Sequence, residues 1–367
     1  MLLYTVTDKE IYDLLGSGRK QFTPTLLAEL GRARGMFLSV EEDRFELIDK
    51  LSSLTYGYKQ MNDLQSLSEH ATRGEKTTSV RLTTHLSAED IKSVAQAYRE
   101  QSPPDEKIVT YSPSADKYSV NVTYTETDFS KTRLRQRQKR ETKIEFDIAD
   151  NEVVVRYGGN AKAQEIVNAI RTRLEIKTQT QIQVESVDLS LLSTSEQKTR
   201  FFTLLIGGLP KFSLENVLSV RVIAPPNTTV ETDDDDGQVE ADEEIRNLIK
   251  DVALTGTSVL LSTQYQGLAK QGFHITSIKW QSKRDSPPYD IVEFWAGFDE
   301  PELGQGFKYA VRGVFIRRSD AYVKTIRATE ESEKKALLAL LDETSIKVFR
   351  TLRSDLEATM ADAEGVK

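Results

Sequence analysis

The chain of 367 residues has no cysteine, and histidine occurs three times, at His70, His85 and His274. Without cysteine there are no disulfides, no thiolate metal sites and no thiol nucleophile. Histidines this far apart do not build a His-rich centre, so no metal and no cofactor are expected. Long apolar runs are also missing. The longest, Phe201–Leu209, falls well short of the roughly 18–20 residues that span a bilayer. No membrane partner is expected. The start, Met-Leu-Leu-Tyr-Thr-Val-Thr-Asp, has no charged leader region and no small-residue cleavage site, which points to a cytoplasmic protein. The Walker pattern, the strand-borne dinucleotide fingerprint and the Gly-x-Ser-x-Gly elbow are absent too. Gly16-Ser17-Gly18-Arg19-Lys20 is glycine-rich, but no strand precedes it and no Ser or Thr follows the lysine.

What is present is charge, unevenly placed. The net charge is −8, but two blocks of opposite sign lie within it, and local charge selects local partners. Lys131, Arg133, Arg135, Arg137, Lys139, Arg140 and Lys143 stand against one acid, Glu141. In a strand, Arg133, Arg135, Arg137 and Lys139 share one face, roughly 6.5–7 Å apart, close to the phosphate spacing of an extended strand of nucleic acid. A solvated hairpin tip is the plainer reading of the same run. The acidic block, Glu231–Glu244, follows Pro225-Pro226 and reads as a self-repelling linker. Thr232, Asp234, Asp236, Gly237 and Glu243 also fall near the spacing of a calcium loop, with Thr in place of the first Asp and two prolines where a helix should enter.

The patterning gives an α+β multidomain chain: an N-terminal helical module (1–101), two mainly antiparallel α+β units (105–224 and 245–367) joined by the acidic linker 225–244, and a long C-terminal helix. Helices are expected from Thr7, from Thr23-Pro24, from a Ser39/Glu42 capping box, and over Tyr56–Glu69 and Ala88–Arg99. Beyond Pro103-Pro104 the period becomes two. Strands are expected at Lys107–Tyr111, Tyr118–Thr125, Lys143–Ile148, Glu152–Tyr157, Gln181–Leu189 and Val217–Ala224. Helices are expected at Ala161–Leu174 and from a Ser193/Glu196 cap. The last unit reads as a helix at Ile245–Leu254 and strands at Ser258–Leu261, Phe273–Gln281, Tyr289–Phe294 and Tyr309–Ile316. A terminal helix spans Glu330 to about Met360, with Leu337, Leu341, Phe349 and Leu352 on its stripe.

One segment carries a resemblance. Leu26-Leu27-Ala28-Glu29-Leu30, then Arg34-Gly35, then Glu46-Leu47-Ile48-Asp49-Lys50-Leu51 resembles the SAP-type helix–extended–helix module over residues 22–54. The resemblance implies binding of duplex DNA or RNA, with the phosphate contacts here falling to Arg19, Lys20, Arg32 and Arg34. This copy departs in opening its second helix with Glu41, Glu42 and Asp43, which suit the helix dipole but not phosphate.

Three smaller patterns remain. Glu141-Thr142-Lys143, with Asp128 and Asp147 on either side, has the residue types of a metal-dependent nuclease. His274 lies in a strand and reads as a structural, hydrogen-bonding residue. Trp280, Tyr289, Phe294, Trp295, Phe298, Phe307 and Tyr309 cluster late in the chain; Phe307 and Tyr309, alternating after Gly306, are faintly similar to the base-stacking strand of an RNA-recognition motif but read as core facing the terminal helix. Taken together the residues favour a non-catalytic subunit contacting the backbone of DNA or RNA through Lys131–Lys143, Arg32 and Arg34. A protein partner or a second copy is expected beside it. An adaptor without nucleic acid, and a nuclease, are the alternatives.

Overall fold

A computed structural model describes residues 6–68, 75–83, 86–104, 106–114, 116–149, 151–192, 194–224, 251–256, 259–318 and 321–365. The chain is mixed α+β and forms two compact units. The first comprises Met1–Arg73, Ala95–Tyr111 and Ser119–Lys143; the second comprises Gly74–Val94, Ser112–Tyr118 and Ile144–Lys367. Among the described residues no helix is long and apolar enough to cross a membrane.

The first unit opens with α1 (Asp8–Ser17), α2 (Pro24–Arg32), α3 (Arg44–Ser52) and α4 (Tyr58–Ser68). Thr7 and Glu10 close the expected capping box on α1. Thr23 caps α2, with Pro24 at the first helical position, where its missing N–H costs nothing. The start of α3 is later than the Ser39/Glu42 pair suggests. Asp43 is the cap, accepting from the Phe45 amide at 2.8 Å, while Ser39 and Glu42 close the turn before it. Ile11, Leu14, Leu15, Phe22, Leu27, Leu47, Ile48 and Leu51 interlock as one core with Met61 and Leu64.

The chain passes between the units through α5 (Ala88–Gln101) and through β2 (Lys107–Ser114), β3 (Lys117–Thr127) and β4 (Arg137–Ile148), which are neighbours in that order. The second unit holds an antiparallel sheet. Its order is β5 (Glu152–Gly158), β1 (Thr77–Thr83), β11 (Gln305–Phe315), β10 (Ile291–Glu300), β9 (His274–Arg284), β7 (Phe212–Ile223) and β8 (Asp251–Thr255). Residues 144–148 of β4 pair with β5, and β6 (Gln183–Glu185) pairs with β1. The helices are α6 (Ala161–Thr178), α7 (Ser195–Gly207), α8 (Thr263–Lys270) and α9 (Glu331–Gly365).

Four expectations are corrected here. Thr77–Thr83, inside the stretch read as helical, is strand β1; its Thr and Val residues suit a pleated surface. Asp251–Thr255, read as helix, pairs with β7 from Ser219 to Ile223. Val259–Leu261, read as strand, is a 3₁₀ turn leading into α8. The cap of α7 is Thr194 with Gln197, one residue beyond Ser193/Glu196. The remaining six residues of the expected helix at Ile245 lie outside the described residues.

One face of this sheet is packed by α7 and α9. Phe201, Phe202 and Leu205 meet Leu337, Leu341, Phe349 and Leu352 over Trp280, Phe294, Phe298, Phe307 and Tyr309. Phe201 stands edge-on to Phe202 and Phe307, with centroids 5.3 and 5.5 Å apart, the arrangement aromatic quadrupoles favour. The apolar stripe of α9 is interrupted by Asp342, which is 1% exposed. It is fully engaged. Arg81 of β1 donates at 3.2 and 3.3 Å, Arg156 of β5 at 3.1 Å, and Ser79 through its hydroxyl. Arg156 also pairs with Asp147, which itself pairs with Lys117 at 3.5 Å. Burial lowers the Arg156 pKa, but Asp342 and Asp147 outweigh it and raise it above its ordinary value.

Candidate functional site

The basic run falls on the connection from β3 to β4 in the first unit. Residues 128–136 form a tied loop. The Asp128 amide donates to the Gln136 carbonyl at 2.7 Å, and the Arg135 amide to the Thr132 carbonyl at 2.7 Å. The Asp128 carboxylate accepts from the Ser130 hydroxyl at 2.6 Å and its amide at 3.0 Å. Those bonds, with Lys131 at 3.1 Å, hold the carboxyl pKa down at about 2. Leu134 is 2% exposed and belongs to the helical core. Its carbonyl accepts from the Gln65 side chain at 2.9 Å. An apolar anchor and a local Asx turn thus fix both ends of the loop.

This anchoring changes the geometry expected of the cations. Arg133–Arg135 is a 3₁₀ turn, and β4 begins only at Arg137. The four cations Arg133, Arg135, Arg137 and Lys139 therefore do not share one strand face. Arg137 and Lys139 do, both exposed, with buried Gln138 between them facing the other way. Several of the others meet carboxylates. Arg133 donates to Glu10 at 3.0 Å, Arg140 to Glu126 at 2.9 Å, and Lys131 pairs with Asp128. Burial raises the Glu10 pKa, yet the Thr7 amide and the Arg133 guanidinium outweigh it and hold the carboxyl below its usual range. Arg135 is half-buried with its Nε unpartnered, and Lys143 is half-buried on β4. Arg32 stays exposed at the end of α2. Arg34 is used structurally: it donates to the Thr55 carbonyl at 3.0 Å and lies 4.5 Å over the Tyr56 ring.

The residue that sequence reasoning missed is Phe129. It stands 82% exposed in this loop, next to Asp128 and two residues from Lys131. No periodicity marks it, because it belongs to neither strand. The available signal was an aromatic inside a polar turn, just before the run of cations.

The other candidate chemistry is not assembled. Among the described residues no group of three His, Asp or Glu side chains is placed to hold a metal ion. Asp128 is committed to Ser130 and Lys131, and Asp147 to Arg156 and Lys117. His274 is buried, and neither ring nitrogen has a hydrogen-bond partner, which corrects the expected hydrogen-bonding role. Burial, then the charge of Lys198, lowers its pKa to about 4. The acidic block and its calcium-like spacing lie outside the described residues. Phe307 and Tyr309 are core, as expected, but Trp295 lies on the opposite face of β10 and Tyr289 is exposed. No family model matches the chain, and none of the curated proteins matches its sequence.

Proposed function

We propose that the first unit binds nucleic acid through the 128–136 loop and the start of β4, as a non-catalytic component of a larger assembly. The carrying observation is the exposed ring of Phe129 beside the exposed cations Arg133, Arg137 and Lys139. A free aromatic next to cations is the chemistry of single-strand binding, in which bases stack and phosphates pair. Arg137 and Lys139, two residues apart on one strand face, match the reach of successive phosphates. Lys131, Arg135, Arg140, Lys143 and Arg32 add a positive field, and Arg34 holds the helices that carry the loop. The lack of cysteine fits a cytoplasmic setting.

The test is fluorescence anisotropy with labelled single- and double-stranded DNA and RNA at about 50 and about 200 mM salt. Binding to single strands should weaken steeply with salt. In the Arg137→Glu/Lys139→Glu variant it should weaken by about tenfold or more. Salt-independent binding, or wild-type affinity in that variant, would contradict the proposal.

A second reading has its own observation. Phe37, Val40 and Phe45 are 95%, 51% and 59% exposed around the start of α3. Exposed apolar groups this close together suit a protein partner. Sedimentation of the purified chain over a range of concentrations tests whether that partner is a second copy.

A further inference from the structure

The face of the second unit's sheet turned away from α7 and α9 carries the residues alternating with the core set. On β10 these are Glu293, Trp295 and Gly297. Register places Trp295 between Ala310 of β11 and Lys279 of β9. It places Gly297 between Lys308 and Ser277, and Ser277 beside Arg221 of β7. Thr77 pairs with Tyr309, so Lys76 comes level with Ala310. A Cβ on Gly297 would stand 2.9 Å from Cζ2 of Trp295. The glycine thus gives the indole room to lie across the sheet. Lys76 Nζ sits 3.8 Å from the centre of that ring.

Two of the cations around the indole are paired. Lys279 pairs with Glu293 at 3.1 Å, and Lys308 pairs with Asp299 while also donating to the Gly159 carbonyl at 2.6 Å. Lys76 and Arg312 stand beside them, and both, with Lys308 and Arg221, contribute to one like-charged field. Among the described residues no carboxylate forms an ion pair with Lys76 or Arg312. Partial desolvation lowers the Lys76 pKa; Asp299 opposes this, and the like charges of Lys308, Arg312 and Arg221 add to it. An anion entering here relieves that repulsion, and an aromatic group replaces the ammonium on the indole without loss of contact.

We propose that this face binds a nucleotide, free or within a single strand. Its phosphate is held by Lys76 and Arg312, and its base stacks on Trp295 where the Lys76 ammonium now rests. The site is independent of the Phe129 loop: its residues are distributed over β1, β10 and β11 and the strand edges beside them.

Trp295 supplies the test. The other tryptophan, Trp280, is fully buried and gives a constant background. The intact chain is titrated with inorganic phosphate, with adenosine monophosphate and with a short oligothymidylate while tryptophan emission is followed. Saturable quenching by the mononucleotide or the oligonucleotide is expected, and its loss in Trp295→Phe assigns the signal. Quenching by both assigns a free nucleotide as ligand; quenching by the oligonucleotide alone assigns a strand. Lys76→Met and Arg312→Gln should each weaken the response by about tenfold or more, with unchanged thermal melting as the folding control. Arg137→Glu/Lys139→Glu, in the other unit, should leave the mononucleotide response intact, so failure of the first reading does not imply failure of this one. Three results would overturn the inference: no saturable change with any probe, a wild-type response in Lys76→Met, or equal quenching by inorganic phosphate, which would leave the base without a role.

Discussion

Two basic surfaces of this protein were built in opposite ways. Around the 128–136 loop the cations are close together in sequence, and folding brings carboxylates to them, Glu10 to Arg133 and Glu126 to Arg140, beside the local pair of Lys131 with Asp128. On the sheet of the second unit the cations are scattered from Lys76 to Arg312, and strand pairing brings them together around Trp295. The conspicuous run in the sequence is therefore partly neutralised in the fold, while an inconspicuous set becomes concentrated. A charge run reports local composition. A charged surface depends on which strands pair and in what register.

The most forceful way to break the comparison is to attack the buried network that ties α9 to β1 and β5. Asp342→Ala leaves Arg81 and Arg156 buried without their shared carboxylate, and should destabilise the protein by about 3–5 kcal/mol. Urea denaturation checks this; a loss below about 1 kcal/mol would show that the network contributes little.

The next effect is a dependence on pH. The folded-state pKa of His274 is lowered, so between pH 6.5 and about 4 the unfolded chain binds a proton that the folded chain does not. Its contribution is complete above pH 6.5 and is lost as pH falls toward 4. The loss should be on the order of 2–3 kcal/mol, and His274→Leu should flatten that limb of the stability curve. An unchanged acid limb in the variant would contradict the burial argument.

Smaller still are the effects that sharpen the first surface. Phe129→Ala should weaken single-strand binding by about 1–3 kcal/mol without moving the melting temperature, since the ring is 82% exposed. Glu10→Gln releases Arg133 toward phosphate while preserving most of the cap. It should tighten binding by no more than about 1 kcal/mol, the usual worth of an exposed ion pair. Anisotropy titrations at fixed salt read both.

Much of the fold was legible in the residues. Thr7/Glu10 and Thr23-Pro24 mark helix starts through backbone donors that need a partner, and that chemistry is local. The C-terminal stripe through Leu337, Leu341, Phe349 and Leu352 has an unambiguous period. The misreadings arose where local preference is weak. Thr77–Thr83 is short and follows a helical stretch, and Asp251–Thr255 is a strand only because β7 is there to pair with it. Asp342 looks like a surface residue of an amphipathic helix until Arg81 and Arg156 are seen to meet it. The candidate site was half legible. Its cations were plain, but Leu134 turning inward, which starts β4 at Arg137, depends on a helical core distant in sequence. Phe129 has no period to betray it.

The central claim is that nucleic acid contacts the loop that carries Phe129. Ultraviolet cross-linking of bound oligothymidylate, followed by mass mapping of the modified peptides, tests it most directly. The expected result is a cross-link at Phe129, lost at high salt and in Arg137→Glu/Lys139→Glu. Cross-linked peptides drawn only from outside residues 128–139 would contradict it.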